Sequence, residues 1–192
     1  MNLTGSKTLE TERLIIRKTE EKDLKILWKI LLNEDVSRYY LTSKINDDWE
    51  KEEKWQLKKL EKASNPDTFC WTIELKETGE VIGQISVQEG PDPEKQDVRD
   101  VGWFLDIPYH RKGYAYEAAL EVLKYMFYEV EIKKIVTCAA VVNPASWKLM
   151  EKLGFKRLKE SFCENYTFVD YPVKVYEYVL TKKDFEKYIT NK

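Results

Sequence analysis

Four consecutive residues, His110-Arg111-Lys112-Gly113, hold the densest chemistry in the sequence. A strand-like run stops at Pro108, and a helix with a wide apolar stripe is expected over Lys112–Val130. The first N–H groups of a helix lack internal partners and carry partial positive charge, so a helix entrance attracts anions. Gly113 allows a phosphate or another backbone to approach closely, and Arg111 and Lys112 add charge. A pyrophosphate suits the place, and so does an ordinary structural helix start. Neither G-x-x-x-x-G-K-[ST] nor G-x-G-x-x-G occurs in the chain. His110, the only histidine, reads as a partly exposed loop imidazole, because no neighbour in the sequence selects a role for it.

A second constellation is "NPASWKLMEKLGF". Asn143 fits an N-cap, Pro144 the first helical position and Gly154 a left-handed residue just past the helix end. The Asn143 side chain can bond its own helix, a ligand, or both. Ser146 falls in the first turn, where the helix dipole favours nearby negative charge. The three cysteines, Cys70, Cys138 and Cys163, are widely spaced and form no CxxC, so neither a Cys/His zinc site nor a disulfide framework is expected. Cys138, on an apolar strand, reads as core.

The elements that must position these groups follow from local pattern. "RLIIRK" (Arg13–Lys18) is a strand, and Thr19 is placed to cap a helix with an acidic first turn at Glu20 and Glu21. "NEDVSRYYLTSKINDD" reads as loop. "DWEKEEKWQLKKLEKAS" reads as a helix with a solvated, mixed-charge face. Thr68–Leu75 and Val81–Gln88 form a hairpin around Lys76–Gly79. "VRDVGWFLDI" and "KKIVTCAAVV" are strands, two more strands lie in the tail, and a last helix starts at Thr181 with capping-box spacing to Asp184. Hairpins on one side and a strand–helix–strand unit on the other imply an α/β fold: a mixed, mostly antiparallel sheet of about seven strands, covered by helices.

The 192 residues fit one domain spanning 1–192, and a 43% apolar share allows a real core. A net charge of −2 gives no basic surface for nucleic-acid backbones, so no nucleic-acid partner is expected. No apolar run reaches the ~20 residues of a membrane span, the N-terminus shows no signal-peptide core, and the cysteine usage suits a reducing, cytoplasmic setting.

Taken together, "GEVIGQISV", "DVGWFLDIPYHRKGYAYEA" and "NPASWKLMEKLGFKR" resemble the GNAT superfamily of acetyl-CoA-dependent N-acetyltransferases, most closely the branch that acetylates ribosomal-protein N-termini. The resemblance runs from "LETERLIIRKTEEKDL" to "YEYVLTKKDF". The family's turn follows [QR]-x-x-G-x-[GA]. Here it is His110 to Ala115, with His110 in place of Gln or Arg.

The resemblance implies that backbone amides of His110, Arg111, Lys112, Gly113, Tyr114 and Ala115 hold the pyrophosphate of acetyl-CoA. It further implies that Leu105, Asp106 and Ile107 contact the acyl arm through backbone groups, and that Asn143 contacts it from the other side. One strand N–H would polarise the thioester carbonyl. Many family members place a proton-giving tyrosine where this chain has Met150; the ribosomal-protein branch carries a serine matched by Ser146, the expected general acid. Asp100 and Glu89 are the candidate bases. The substrate determinants are expected in two loops, with Tyr39 and Tyr40 in one and Tyr166 and Asp170 in the other. The implied activity is direct transfer to a primary amine, either a peptide N-terminus or a small molecule, with no metal, in a monomer or homodimer. The alternative is a non-catalytic acyl-CoA-binding regulatory module that keeps the fold.

Overall fold

Alternating apolar and polar residues in "LIIRK", "FCWTIEL" and "VIGQISVQE" dictate strands with one face toward a core. In the computed structural model, which describes residues 1–40, 44–92, 94–164 and 166–191, these runs lie side by side. The strands are β1 (Leu9–Glu10), β2 (Leu14–Lys18), β3 (Phe69–Leu75), β4 (Val81–Glu89), β5 (Val98–Leu105), β6 (Lys134–Ala140), β7 (Lys156–Cys163) and β8 (Val173–Thr181). They form one sheet in the order β1-β2-β3-β4-β5-β6-β8-β7. Every neighbouring pair is antiparallel except β5–β6. The sheet is therefore mixed and mostly antiparallel, as expected, with the two-residue β1 as an added edge strand.

The helices are α1 (Glu21–Leu32), α2 (Glu34–Ser37), α3 (Trp49–Lys62), α4 (Tyr114–Tyr128), α5 (Pro144–Lys152) and α6 (Lys182–Thr190). α4 covers one sheet face. Its Ala119, Val122, Leu123, Met126 and Phe127 pack in one cluster with Trp71, Ile73, Ile85, Val87 and Val101. α1 covers the other face, where Leu27, Ile30 and Leu31 pack on Phe104.

Four local expectations change. Thr19 is buried and does not cap α1; Glu20 is the N-cap and forms a capping box with Asp23. Asp23 is drawn inward because Arg17 grips its carboxylate with two nitrogens, at 2.7 and 2.8 Å. Glu34–Ser37, expected as loop, makes the short helix α2, capped by the Asn33 side chain. α4 starts at Tyr114 rather than Lys112, because Gly113 takes a left-handed conformation at its N-cap. Cys138 is exposed rather than core, since β6 turns its even-numbered side chains away from α4.

Candidate active site

The parallel pairing of β5 and β6 covers only Val98–Asp100 against Lys134–Val136. Beyond Asp100 the strands part, although β5 runs on to Leu105 and β6 to Ala140. Thr137 Oγ1 donates to the Val101 carbonyl at 2.9 Å at the fork, taking an acceptor the ladder no longer uses. Asp106 N–H donates to the Ile82 carbonyl at 2.8 Å, which makes Gly83/Leu105 a non-hydrogen-bonded pair. By the same alternation, the main-chain groups of Trp103 and Leu105 turn toward the gap. Across it, the Val141 N–H bond to Lys174 likewise turns those of Cys138 and Ala140 inward.

Of the three residues expected to offer backbone to an acyl arm, two are already engaged. The Asp106 amide goes to Ile82, and the Ile107 amide goes to Asp106 Oδ1 at 2.8 Å. The available edge therefore shifts to Trp103 and the Leu105 amide. Trp103 was not singled out in the sequence, where strand register cannot be seen.

β5 leads into a 3-10 turn, Ile107–Tyr109, and then the His110–Gly113 loop. Arg111 (φ 59°) and Gly113 (φ 85°) are both left-handed. Among the described residues, the amides of Arg111, Lys112, Gly113, Tyr114 and Ala115 have no acceptor. Five successive unpaired amides at the mouth of a 15-residue helix make a concave anion cradle. A Cβ at Gly113 would lie 3.3 Å from Arg13 Nη2. Arg13 braces the cradle: it donates to the Lys112 carbonyl at 3.0 Å and to Glu117 at 2.7 Å, and it lies over the Tyr114 ring. Partial burial pushes the Glu117 carboxyl up, but bonds from Thr11 and Arg13 outweigh it and hold the group below its ordinary value. His110 is exposed and turns back to its own strand, with Nε2 2.8 Å from the Leu105 carbonyl.

Asp100 stands at the fork. Its surface is open to water, yet crowding protein strips enough hydration to push its carboxyl up to about 6, against bonds from Thr137 and the Val101 amide. On the same sheet face is Cys138. Loss of hydration, followed by the nearby Asp100 charge, pushes its thiol up to about 11. Glu89 sits at the far end of β4, opposite Arg99 in register and away from the widening gap.

Asn143 caps α5, its Oδ1 accepting from the Ser146 amide at 3.3 Å, and Pro144 opens the helix. Ser146 is half-buried, and its hydroxyl has no partner among the described residues. Met150 is 2% exposed in the core beneath α4.

The two expected substrate loops meet over this face. Tyr39 packs edge-on against Tyr166 at 5.8 Å, and Tyr40 against Phe104 at 5.1 Å. The Tyr40 ring also rests on Gly102, where a Cβ would approach it to 3.3 Å. Asp170 is exposed and makes no ion pair among the described residues. Positions 41–43 of the first loop and 165 of the second lie outside the described residues. Beside Tyr40, a recess of about 580 Å³ runs between α1, α3 and the β3–β4 face.

Residues 13–156 match the sequence model of the acetyltransferase (GNAT) domain. The chain belongs to the GNAT acetyltransferase family. Among relatives of this GNAT chain is YoaA of Bacillus subtilis, named as an uncharacterised N-acetyltransferase. It is 28% identical over 186 residues, covering 89% of this chain and 96% of YoaA. B. subtilis YkkB is 31% identical over 147 residues, 76% of this chain and 83% of that protein. A GNAT acetyltransferase structure from Bacillus anthracis superposes with a TM-score of 0.76 at 25% identity, covering 92% of this chain and 99% of that one. The ribosomal-protein-S5-alanine acetyltransferase of Vibrio fischeri shares the fold, with a TM-score of 0.75 at 17% identity over 94% and 99% of the two chains.

In this GNAT domain, Met150, at the position where the resemblance implies a tyrosine, is buried, and its thioether carries no proton. Among the described residues, no helix is long and apolar enough to cross a membrane, and no group of three or more His, Cys, Asp or Glu side chains could hold a metal ion.

Proposed function

We propose that this chain transfers an acetyl group from acetyl-CoA to a primary amine by direct attack in a ternary complex. The row of unpaired amides from Arg111 to Ala115, opening beside the β5–β6 gap, carries this reading. It fits a coenzyme with a pyrophosphate at one end and an amide-bearing arm along two parted strands. The cradle residues would hold the pyrophosphate. Edge groups of Trp103, Leu105, Cys138 and Ala140 would orient the arm, with Asn143 at the end of the gap.

Bound acetyl-CoA supplies an acetyl group activated as a thioester. Asp100 takes a proton from the incoming amine; a carboxyl near 6 is ionised at neutral pH and still basic enough to accept it. Ser146, with an uncommitted hydroxyl in the first turn of α5, passes a proton to the leaving sulfur, directly or through water, and regains one from solvent. An edge N–H of β5 steadies the negative charge that develops on oxygen. Cys138 remains a thiol at neutral pH, which suits direct attack over an acyl-cysteine relay. Glu89 is the lesser candidate base, since it stands opposite Arg99, on the side of the fork away from the gap.

The buried Met150 favours one second reading, a module that binds acyl-CoA without turning it over. Thiol release from acetyl-CoA, followed over a panel of peptides, polyamines and aminoglycosides, separates the two. Amine-dependent release supports the enzyme. Coenzyme binding with no release on any amine supports the module.

A further inference from the structure

The recess beside the fork holds an ammonium that no carboxylate among the described residues pairs with directly. Its wall is largely aromatic and aliphatic, with Leu27, Trp28, Trp55 and Phe69 among the lining residues. Lys59 enters this wall from α3, its ammonium 3.5 Å from the centre of the Trp55 ring. Among the described residues, no carboxylate forms an ion pair with it. The nearest acid on its own helix, Glu52, is occupied by the Asn46 amide at 2.9 Å and Gln56 at 2.7 Å. Lys62 adds a second cation to the lining. Asp67 and Glu89 also line it, next to a smaller cavity of about 80 Å³ that Asp92, Lys95 and Arg99 share. Crowding pushes the Lys59 ammonium down from its ordinary pKa against the nearby Glu52 charge, and a carboxylate bound directly to it would oppose that push.

One side of the recess points at the fork. Tyr40 and Gln88 line it, and Gln88 is the register partner of Asp100. Cys70, Ser86 and Gly102 stand in one row across β3, β4 and β5, with Asp100 two residues further along. With strands about 4.8 Å apart and about 3.3 Å per residue, the floor from Cys70 to Asp100 measures about 12 Å. The Lys59 ammonium sits at the Cys70 end, close enough for its charge to act on that thiol.

We propose that the acceptor is a primary amine carrying a carboxylate about 10 Å away, as in a short peptide with a free C-terminus, whose three residues extend to about 10 Å. The carboxylate pairs with Lys59, the body packs among the aromatic side chains, and the amine is delivered past Tyr40 and Gln88 to Asp100. A polyamine would bring Lys59 a second cation in place of the carboxylate. This inference rests on the acetyl-transfer reading above for the role of Asp100, while the recess can be tested without turnover.

Calorimetric titration of the CoA-loaded protein with the tripeptide Ala-Ala-Phe, as the free acid and as the C-terminal amide, reads the recess directly. The free acid is expected to bind at least tenfold more tightly. Lys59→Met should bring its affinity down to that of the amide, and Lys59→Arg should keep the preference. Equal affinities in the wild type, absence of binding by the free acid, or a preference that survives Lys59→Met would overturn the proposal. Thiol release measured in parallel reports on acetyl transfer itself. Peptide binding without release would leave the recess assignment standing and count against the enzyme.

Discussion

The His110 imidazole closes onto the main chain of Leu105, with 2.8 Å between Nε2 and the carbonyl oxygen. A carbonyl only accepts, so Nε2 carries the proton. The side chain that departs from the family's turn pattern thus ties the turn to the end of β5 and fixes where the amide cradle opens. A hydrogen bond of this kind contributes about 0.5–1.5 kcal/mol net. His110→Ala is therefore expected to weaken acetyl-CoA binding about three- to tenfold in a calorimetric titration, with the unfolding midpoint little changed. Unaltered affinity would make the contact incidental.

The proposed role of Asp100 as base predicts a pH dependence. Its carboxyl is pushed up to about 6 by loss of hydration, and only the ionised form accepts a proton. The kcat/KM for an amine acceptor should fall as pH drops through about 6. Asp100→Asn should lower kcat by about 100-fold or more and remove this acidic limb. A retained limb in the variant would assign it to another group, with Glu89 the next to replace.

Ser146 has a separable signature. Its amide caps to Asn143 and would do so with any side chain, while its hydroxyl is uncommitted. Ser146→Ala should lower kcat about 10- to 100-fold with acetyl-CoA affinity unchanged. An unchanged kcat would leave Ser146 as a first-turn residue of α5 and no more.

A stability prediction comes from the edge of the α1 face. Asp23 is 1% exposed and accepts from both terminal nitrogens of Arg17, from Thr72 and from the Glu20 amide. Burial pushes its carboxyl up, but these bonds win and hold it below its ordinary 3.8. The ionised form is thus favoured by folding: its contribution is complete above pH 3.8 and is lost as pH falls toward the lower folded value. Asp23→Ala leaves Arg17 partly buried without that partner. It should cost about 3–5 kcal/mol in urea unfolding, and the variant should lack this acid-dependent part of the stability loss. A loss under 1 kcal/mol would place the network at the solvated surface.

Much of this was legible in the chain because its signals are local. The α5 boundaries follow from Asn143, Pro144 and Gly154, and the α6 cap from Thr181 and Asp184, since each involves groups within one helical turn. What was missed depends on strands distant in sequence. The fork between β5 and β6 arises because the pairing stops at Val136, and no residue type announces it. Cys138 looks like core in "IVTCAA", but the register with β8 turns it to the site face beside Asp100. Arg13 joins the cradle from about a hundred residues away, and Lys59 looked like one more charge on a solvated helix until α3 was laid over β3. Thr19 lost its capping role because Arg17 drew Asp23 inward to complete a box with Glu20.

The central claim is that the amides around Gly113 hold the pyrophosphate of acetyl-CoA. The direct measurement is calorimetric titration of acetyl-CoA into the wild type and into Gly113→Glu, with circular dichroism confirming that both are folded. A glutamate there would force a side chain onto a left-handed backbone at φ 85° and place a carboxylate in the anion cradle. Saturable one-to-one binding by the wild type, with none detectable in the folded variant, is the predicted result. Equal binding by the two proteins would contradict it.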